Sequence, residues 1–144
     1  MTAILDSLCR ELRNWFIRGE VDSIFTISGG ALSPDSAPLH DGQYYCIGGS
    51  LFNDGVHRWP EEQLTEETFD GYIWLMAPPR DFLALAEDIA AYRARLDEIG
   101  AANKGYTSES FGGYSYTLAP DAPADVVELR DRILDGKRRW RKIL

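Results

Sequence analysis

Two cysteines, two histidines and no long apolar run set the first limits on this 144-residue chain. The opening stretch, MTAILDSLCRELRNWF, is interrupted by Asp6, Arg10, Glu11 and Arg13 and does not read as a secretory signal. Cys9 and Cys46 therefore read as reduced, buried small hydrophobes and not as a disulfide. Two Cys and two His, scattered singly, lack zinc-ligand spacing. The longest apolar run, Tyr72 to Ala77, falls far below the ~18 residues that a membrane span needs.

Signatures of chemistry are missing as well. Gly29-Gly30 and Gly48-Gly49-Ser50 have no Gly-Lys-Ser/Thr and do not sit between a strand and a helix, so neither is a phosphate loop. Asn53-Asp54-Gly55 lacks the alternating oxygen ligands and the terminal Glu of a calcium loop. Glu61-Glu62 and Glu66-Glu67 read as a solvated acidic loop leading into a helix start capped by Thr65. His40 and His57 lie in loop and hairpin context with no nucleophile or carboxylate assigned to them by spacing. These patterns give no argument for an enzyme, a cofactor or a metal.

Charge is abundant and unevenly placed. From Arg130 to Leu144 seven Lys/Arg face two Asp, a net of +5, which leaves 8 Lys/Arg against 21 Asp/Glu elsewhere, a net of −13. The body should repel a polyanion, and only the C-terminal end attracts one.

Apolar spacing predicts an amphipathic helix over 2–18, on Leu5, Leu8, Leu12, Trp15 and Phe16. A second helix is expected over 79–99, with Pro79 in its first turn, Phe82, Leu85, Ala86, Ile89, Leu96 and Ile99 on one face, and Gly100 after its end. A third starts near Asp121 with Val126, Leu129, Ile133 and Trp140 as its stripe, broken in two at Gly136. Between the first two helices, Phe25-Thr26-Ile27 reads as a short strand. Gln43 to Ile47 and Val56 to Trp59 read as a hairpin around Asn53-Asp54-Gly55. Phe69 to Met76 fits a strand or a short helix ended by Pro78-Pro79. The expected fold is α+β: one domain with a core of about three long helices and an inserted β hairpin or small antiparallel sheet over 20–76.

One loop is unusual. Ser108-Glu109-Ser110-Phe111-Gly112-Gly113-Tyr114-Ser115-Tyr116-Thr117 alternates small polar and aromatic residues from Tyr114 onward, as a half-exposed strand does. It stands between two helices without a sequence-adjacent partner strand. Pairing with the hairpin of its own chain and pairing with a neighbouring subunit both satisfy its backbone.

This stretch, after a long helix and before a segment ending RRWRKIL, resembles the head-tail connector proteins of tailed bacteriophages, also called head-completion or adaptor proteins. Members often carry Ser-Glu-Ser-x-Gly-x-Tyr-Ser between two core helices, and Ser108, Glu109, Ser110, Gly112 or Gly113, Tyr114 and Ser115 match it. The stretch YYCIGGSLFNDGVHRWP resembles a β segment in a prophage-encoded branch. The resemblance is close over 106–117 and loose over most of the rest. The simplest members are almost wholly helical, so the β-containing segment is a departure.

The resemblance implies a non-enzymatic virion protein of the neck region, assembled in the bacterial host cytoplasm. It implies a closed homo-oligomeric ring of about a dozen copies between the portal and a tail-side stopper or tail-completion protein. DNA passes through the centre without being specifically bound, and no membrane is involved. Ser108, Glu109, Ser110, Phe111, Gly112, Gly113, Tyr114, Ser115 and Tyr116 are then the expected subunit interface. Arg138, Arg139, Trp140, Arg141 and Lys142 are the expected portal-docking residues, with Trp140 as anchor. The same basic tail also reads as a solvated helix end favoured by the helix dipole, or as a nucleic-acid contact. In the last case the chain is a small phage-encoded accessory protein that stacks bases on Tyr106, Tyr114 and Tyr116.

Overall fold

A computed structural model describes residues 1–60, 63–102, 118 and 122–142, and the chain divides into two compact units. Ala3–Asn14 and Pro79–Leu144 belong to a helical unit, and Trp15–Pro78 form a sheet unit.

In the helical unit, α1 (Thr2–Leu12) buries Leu5, Leu8, Cys9 and Leu12, one stripe at helical spacing. It ends well before the expected residue 18. Arg13 turns left-handed (φ 56°), and the Asn14 N–H donates to the Cys9 carbonyl at 3.0 Å, closing the helix. Trp15 and Phe16 continue the helical spacing but belong to the sheet unit.

Helix α2 (Arg80–Ala102) buries Phe82, Leu85, Ala86, Ile89, Tyr92, Leu96 and Ile99. Helix α3 (Ala124–Trp140) buries Val126, Ile133 and Lys137. The expected break at Gly136 does not occur, because that glycine serves packing: a Cβ there would stand 2.8 Å from Leu85 Cδ1.

Three ion pairs clamp α2 to α3. Asp81 meets Arg139 at 3.5 Å, Asp88 meets Arg132 at 2.7 Å and Arg95 meets Asp125 at 2.8 Å. Each helix places its three members seven residues apart, two turns of helix, so the rungs lie along one seam of an antiparallel pair. The Asp88–Arg132 and Arg95–Asp125 rungs are bidentate, the strongest geometry for a guanidinium on a carboxylate.

The sheet unit is an antiparallel five-stranded sheet. Its strands are β1 (Ile17–Ser28), β2 (Ala31–Leu32), β3 (Tyr44–Gly48), β4 (Gly55–Arg58) and β5 (Glu67–Met76), in spatial order β2-β1-β5-β3-β4. One face buries Phe25, Ile27, Leu32, Tyr45, Ile47, Phe69 and Ile73, with Ala37 and Leu64 from the connections. Phe25 and Phe69 are directly opposite across β1 and β5, with ring centroids 5.5 Å apart; such a pair adds ~0.5–1.5 kcal/mol beyond its area. At the β3/β5 contact a Cβ on Gly71 would overlap the Gly48 carbonyl oxygen, so glycine is required there.

This overturns the expected architecture. The protein is α+β, but its core is dominated by a five-stranded sheet, not by three long helices around a small hairpin. α1 is only 11 residues long. The short strand expected at Phe25–Ile27 is a 12-residue strand whose first half carries Arg18, Glu20 and Asp22 on its exposed positions. Thr65, Glu66 and Glu67 lead into β5 and not into a helix. Among the described residues, no helix is long and apolar enough to cross a membrane.

Candidate docking surfaces

The end of α3 determines what its cations can do. Lys137 is 5% exposed, and its ammonium lies 2.9 Å from the Glu11 carboxylate. Burial holds its pKa below the usual lysine value, and Glu11 opposes that shift. Lys137 therefore belongs to the interior of the helical unit and not to a tail. Trp140 is half-buried, edge-on to Phe82 at 6.1 Å and beneath the Arg139 guanidinium at 4.6 Å. Its carbonyl accepts from Asn14 Nδ2 at 3.0 Å.

Beyond the helix, the Lys142 N–H donates to the Leu12 carbonyl at 2.9 Å, and Arg141 Nη1 donates to the Glu11 carbonyl at 3.3 Å. Arg141 and Lys142, expected as part of a basic C-terminal tail, bond back to the end of α1. Arg138 and Arg139 stay exposed, with side chains 78% and 62% accessible.

Of the five expected docking residues, Arg138, Arg139 and Trp140 line one groove of about 690 Å³ between α2 and α3. It is lined by Ala84, Leu85, Gly136 and Trp140 and by the charged Asp81, Asp88, Asp135 and Arg132 beside the two arginines. Arg141 and Lys142 are not part of it. The expected interface, Ser108, Glu109, Ser110, Phe111, Gly112, Gly113, Tyr114, Ser115 and Tyr116, lies outside the described residues, as does Tyr106. Those residues connect the end of α2 to the start of α3.

The sheet unit presents two further surfaces; the sequence pointed to the second, as the hairpin around Asn53-Asp54-Gly55 and a candidate patch for a neighbouring copy, but not to the first. The first is the face opposite its core. Here β1 and β5 place Glu20 across from Trp74, Asp22 across from Tyr72 and Ile24 across from Asp70. Trp15 packs edge-on against Trp74 at 5.4 Å, and Tyr72 lies 4.9 Å from Trp74. Trp74 Nε1 donates to Glu20 Oε1 at 2.5 Å. Asp22 is raised above the usual carboxylate range by lost hydration, by its hydrogen bond with Glu20 and by the negative charges of Glu20 and Asp70. Ile24 is 69% exposed beside them. The period-2 runs Glu20-x-Asp22-x-Ile24 and Asp70-x-Tyr72-x-Trp74 were the available signal.

The second surface is the β3–β4 loop, which presents Leu51 and Phe52, 81% and 62% exposed. The loop is rigidly held from beneath. Glu67 accepts from Ser50 Oγ, from Asn53 Nδ2 at 2.8 Å and from the Leu51 N–H at 3.3 Å. Burial raises the Glu67 pKa, but these donors outweigh it, and the carboxyl sits below its ordinary range. Buried Asn53 bonds Thr65 in both directions at 2.8 Å. His57 Nε2 lies 2.7 Å from the Asn53 carbonyl, so that histidine has a packing role.

No protein-family model matches this chain, and no curated protein or solved structure matches it either.

Proposed function

We propose that this chain is a structural virion protein, a head-tail connector subunit that works as one copy in a ring between portal and tail-side components, with DNA passing through the centre. One observation carries the reading. The Ser-Glu-Ser-Phe-Gly-Gly-Tyr-Ser stretch connects α2 to α3, two helices clamped to each other by three ion pairs. That is the placement the resemblance implies for its motif. The acidic body adds support, since a conduit for DNA should not hold it. The sheet unit is then this chain's own addition to a helical frame.

Cryo-electron microscopy of the purified chain mixed with the portal protein of the same genome tests the proposal. A ring of subunits seated on the portal is expected. Absence of any attachment overturns the reading. Tight DNA binding that falls steeply with salt would favour the nucleic-acid accessory protein instead.

A further inference from the structure

A ring needs a heterologous contact, in which one patch of each copy meets a different patch of the next. Two surfaces of opposite charge supply such a pair. The first is the exposed sheet face of Trp15, Tyr72 and Trp74 with Glu20, Asp22 and Asp70. The second is the exposed end of α3.

On the sheet face, three carboxylates share the surface with a cluster of aromatic rings. Among the described residues none of the three forms an ion pair, and no cation neutralises them. The rings and carboxylates share one face by register, because directly opposed antiparallel residues point to the same side. A guanidinium is the group that satisfies both, by ion pairing with the carboxylates and by lying over the aromatic rings. At the end of α3, Arg138 and Arg139 are exposed on the most basic stretch of the chain. Their own ion pairs, with Asp135 at 3.8 Å and Asp81 at 3.5 Å, join side chains that are all mostly accessible. Such pairs are weak enough to exchange for a better partner.

We infer that the acidic aromatic face of the sheet unit docks the basic end of α3 of a second copy of this chain. The inference rests on the connector reading. It moves Arg138 and Arg139 from a portal contact to a contact between neighbouring copies. The attraction steers copies into one orientation and is sensitive to salt, because both surfaces are exposed.

Charge reversal on the full chain tests it. One variant carries Asp22→Lys and Asp70→Lys, a second carries Arg138→Glu and Arg139→Glu, and a third carries all four changes. Circular dichroism checks that each folds. Mass is followed by light scattering against protein concentration at low salt, alone and with portal. Each two-site variant should raise the concentration for half-assembly about tenfold or more, and the four-site variant should recover most of that loss. Recovery is the decisive readout, because damage to the fold would accumulate and not cancel. A ring that still closes on the portal with either two-site variant overturns the inference and leaves the connector reading standing. Loss of portal attachment by Arg138→Glu/Arg139→Glu alone, with self-association intact, also overturns it and returns the arginines to the portal. A wild-type chain that stays monomeric alone and with portal overturns both.

Discussion

Gly136 on α3 lies directly against the side chain of Leu85 on α2, so closely that a Cβ at 136 would stand 2.8 Å from Leu85 Cδ1 and 3.2 Å from Cδ2. In an open helix position, alanine in place of glycine stabilises by ~1 kcal/mol. Here the added methyl must displace a leucine that is 4% exposed in a packed core. Overpacking of that kind costs ~1–3 kcal/mol. Gly136→Ala should therefore lower stability by a net of ~1 kcal/mol in urea unfolding, with an unchanged denaturant slope. A more stable variant would mean that Leu85 yields and that propensity decides at this site.

The ladder between α2 and α3 reverses polarity at its last rung. Asp81 and Asp88 lie on α2 in the first two pairs, but Arg95 lies on α2 in the third. A slip of seven residues in one direction sets Asp88 against Asp125. A slip in the other sets Arg95 against Arg132. The ladder thus penalises both wrong registers. Arg95→Asp should cost ~0.2–1 kcal/mol and broaden thermal unfolding. Arg95→Asp together with Asp125→Arg should restore the pairing energy but give all rungs one polarity. Distance measurements between spin labels on α2 and α3 would then detect slipped pairs that the wild type lacks. A single sharp distance in that variant would show that apolar packing alone sets the register.

Burial pushes the Tyr92 phenol up to about 12, with Arg130 pulling slightly the other way. A group whose folded pKa is raised contributes stability that is complete below its unfolded value, near ~10. That contribution is lost as pH rises through the folded value. Ultraviolet titration of the seven tyrosines should show Tyr92 among those that ionise only with alkaline unfolding, and Tyr92→Phe should reduce that late step. A Tyr92 that titrates with the exposed tyrosines would contradict its burial.

The Leu51–Phe52 loop depends on the groups beneath it. Asn53→Ala leaves the Thr65 backbone without its amide partner and should cost ~1–3 kcal/mol in urea unfolding. Glu67 has the opposite pH behaviour to Tyr92. Its folded pKa is lowered, so its contribution is present above the ordinary carboxylate range and lost as pH falls through the lower folded value. Glu67→Gln should flatten the acid limb of the stability curve. An acid limb that is unchanged in the variant would remove Glu67 from the account.

Much of the helical unit was legible because its faces obey one period. Phe82, Leu85, Ala86, Ile89, Leu96 and Ile99 were expected on the inner face of α2 and are all buried. Gly136 was misread because sequence reports that glycine loosens a helix, while only structure reports what stands opposite it. The hairpin strands at Tyr44–Gly48 and Gly55–Arg58 were found from their aromatic and β-branched residues, although residues 49–54 form a longer connection than the Asn-Asp-Gly reading suggests. The strand left undecided at Phe69–Met76 is the central one. It carries Phe69, Ile73 and Leu75 on the core face and the aromatic Tyr72 and Trp74 on the other, so Tyr72-Ile73-Trp74-Leu75-Met76 shows no alternation to distinguish it from a buried helix. The acidic aromatic face escaped notice because its residues come from three separate segments and meet only through the β1–β5 register.

The two ends of the sheet unit meet: the Ala77 N–H donates to the Phe16 carbonyl at 2.9 Å, tying the first residues of the unit to the last. The segment from Trp15 to Pro78 is thus a cassette whose two ends are tied to each other. Such a cassette can be lengthened, exchanged or lost without changing the order in which α1, α2 and α3 follow one another.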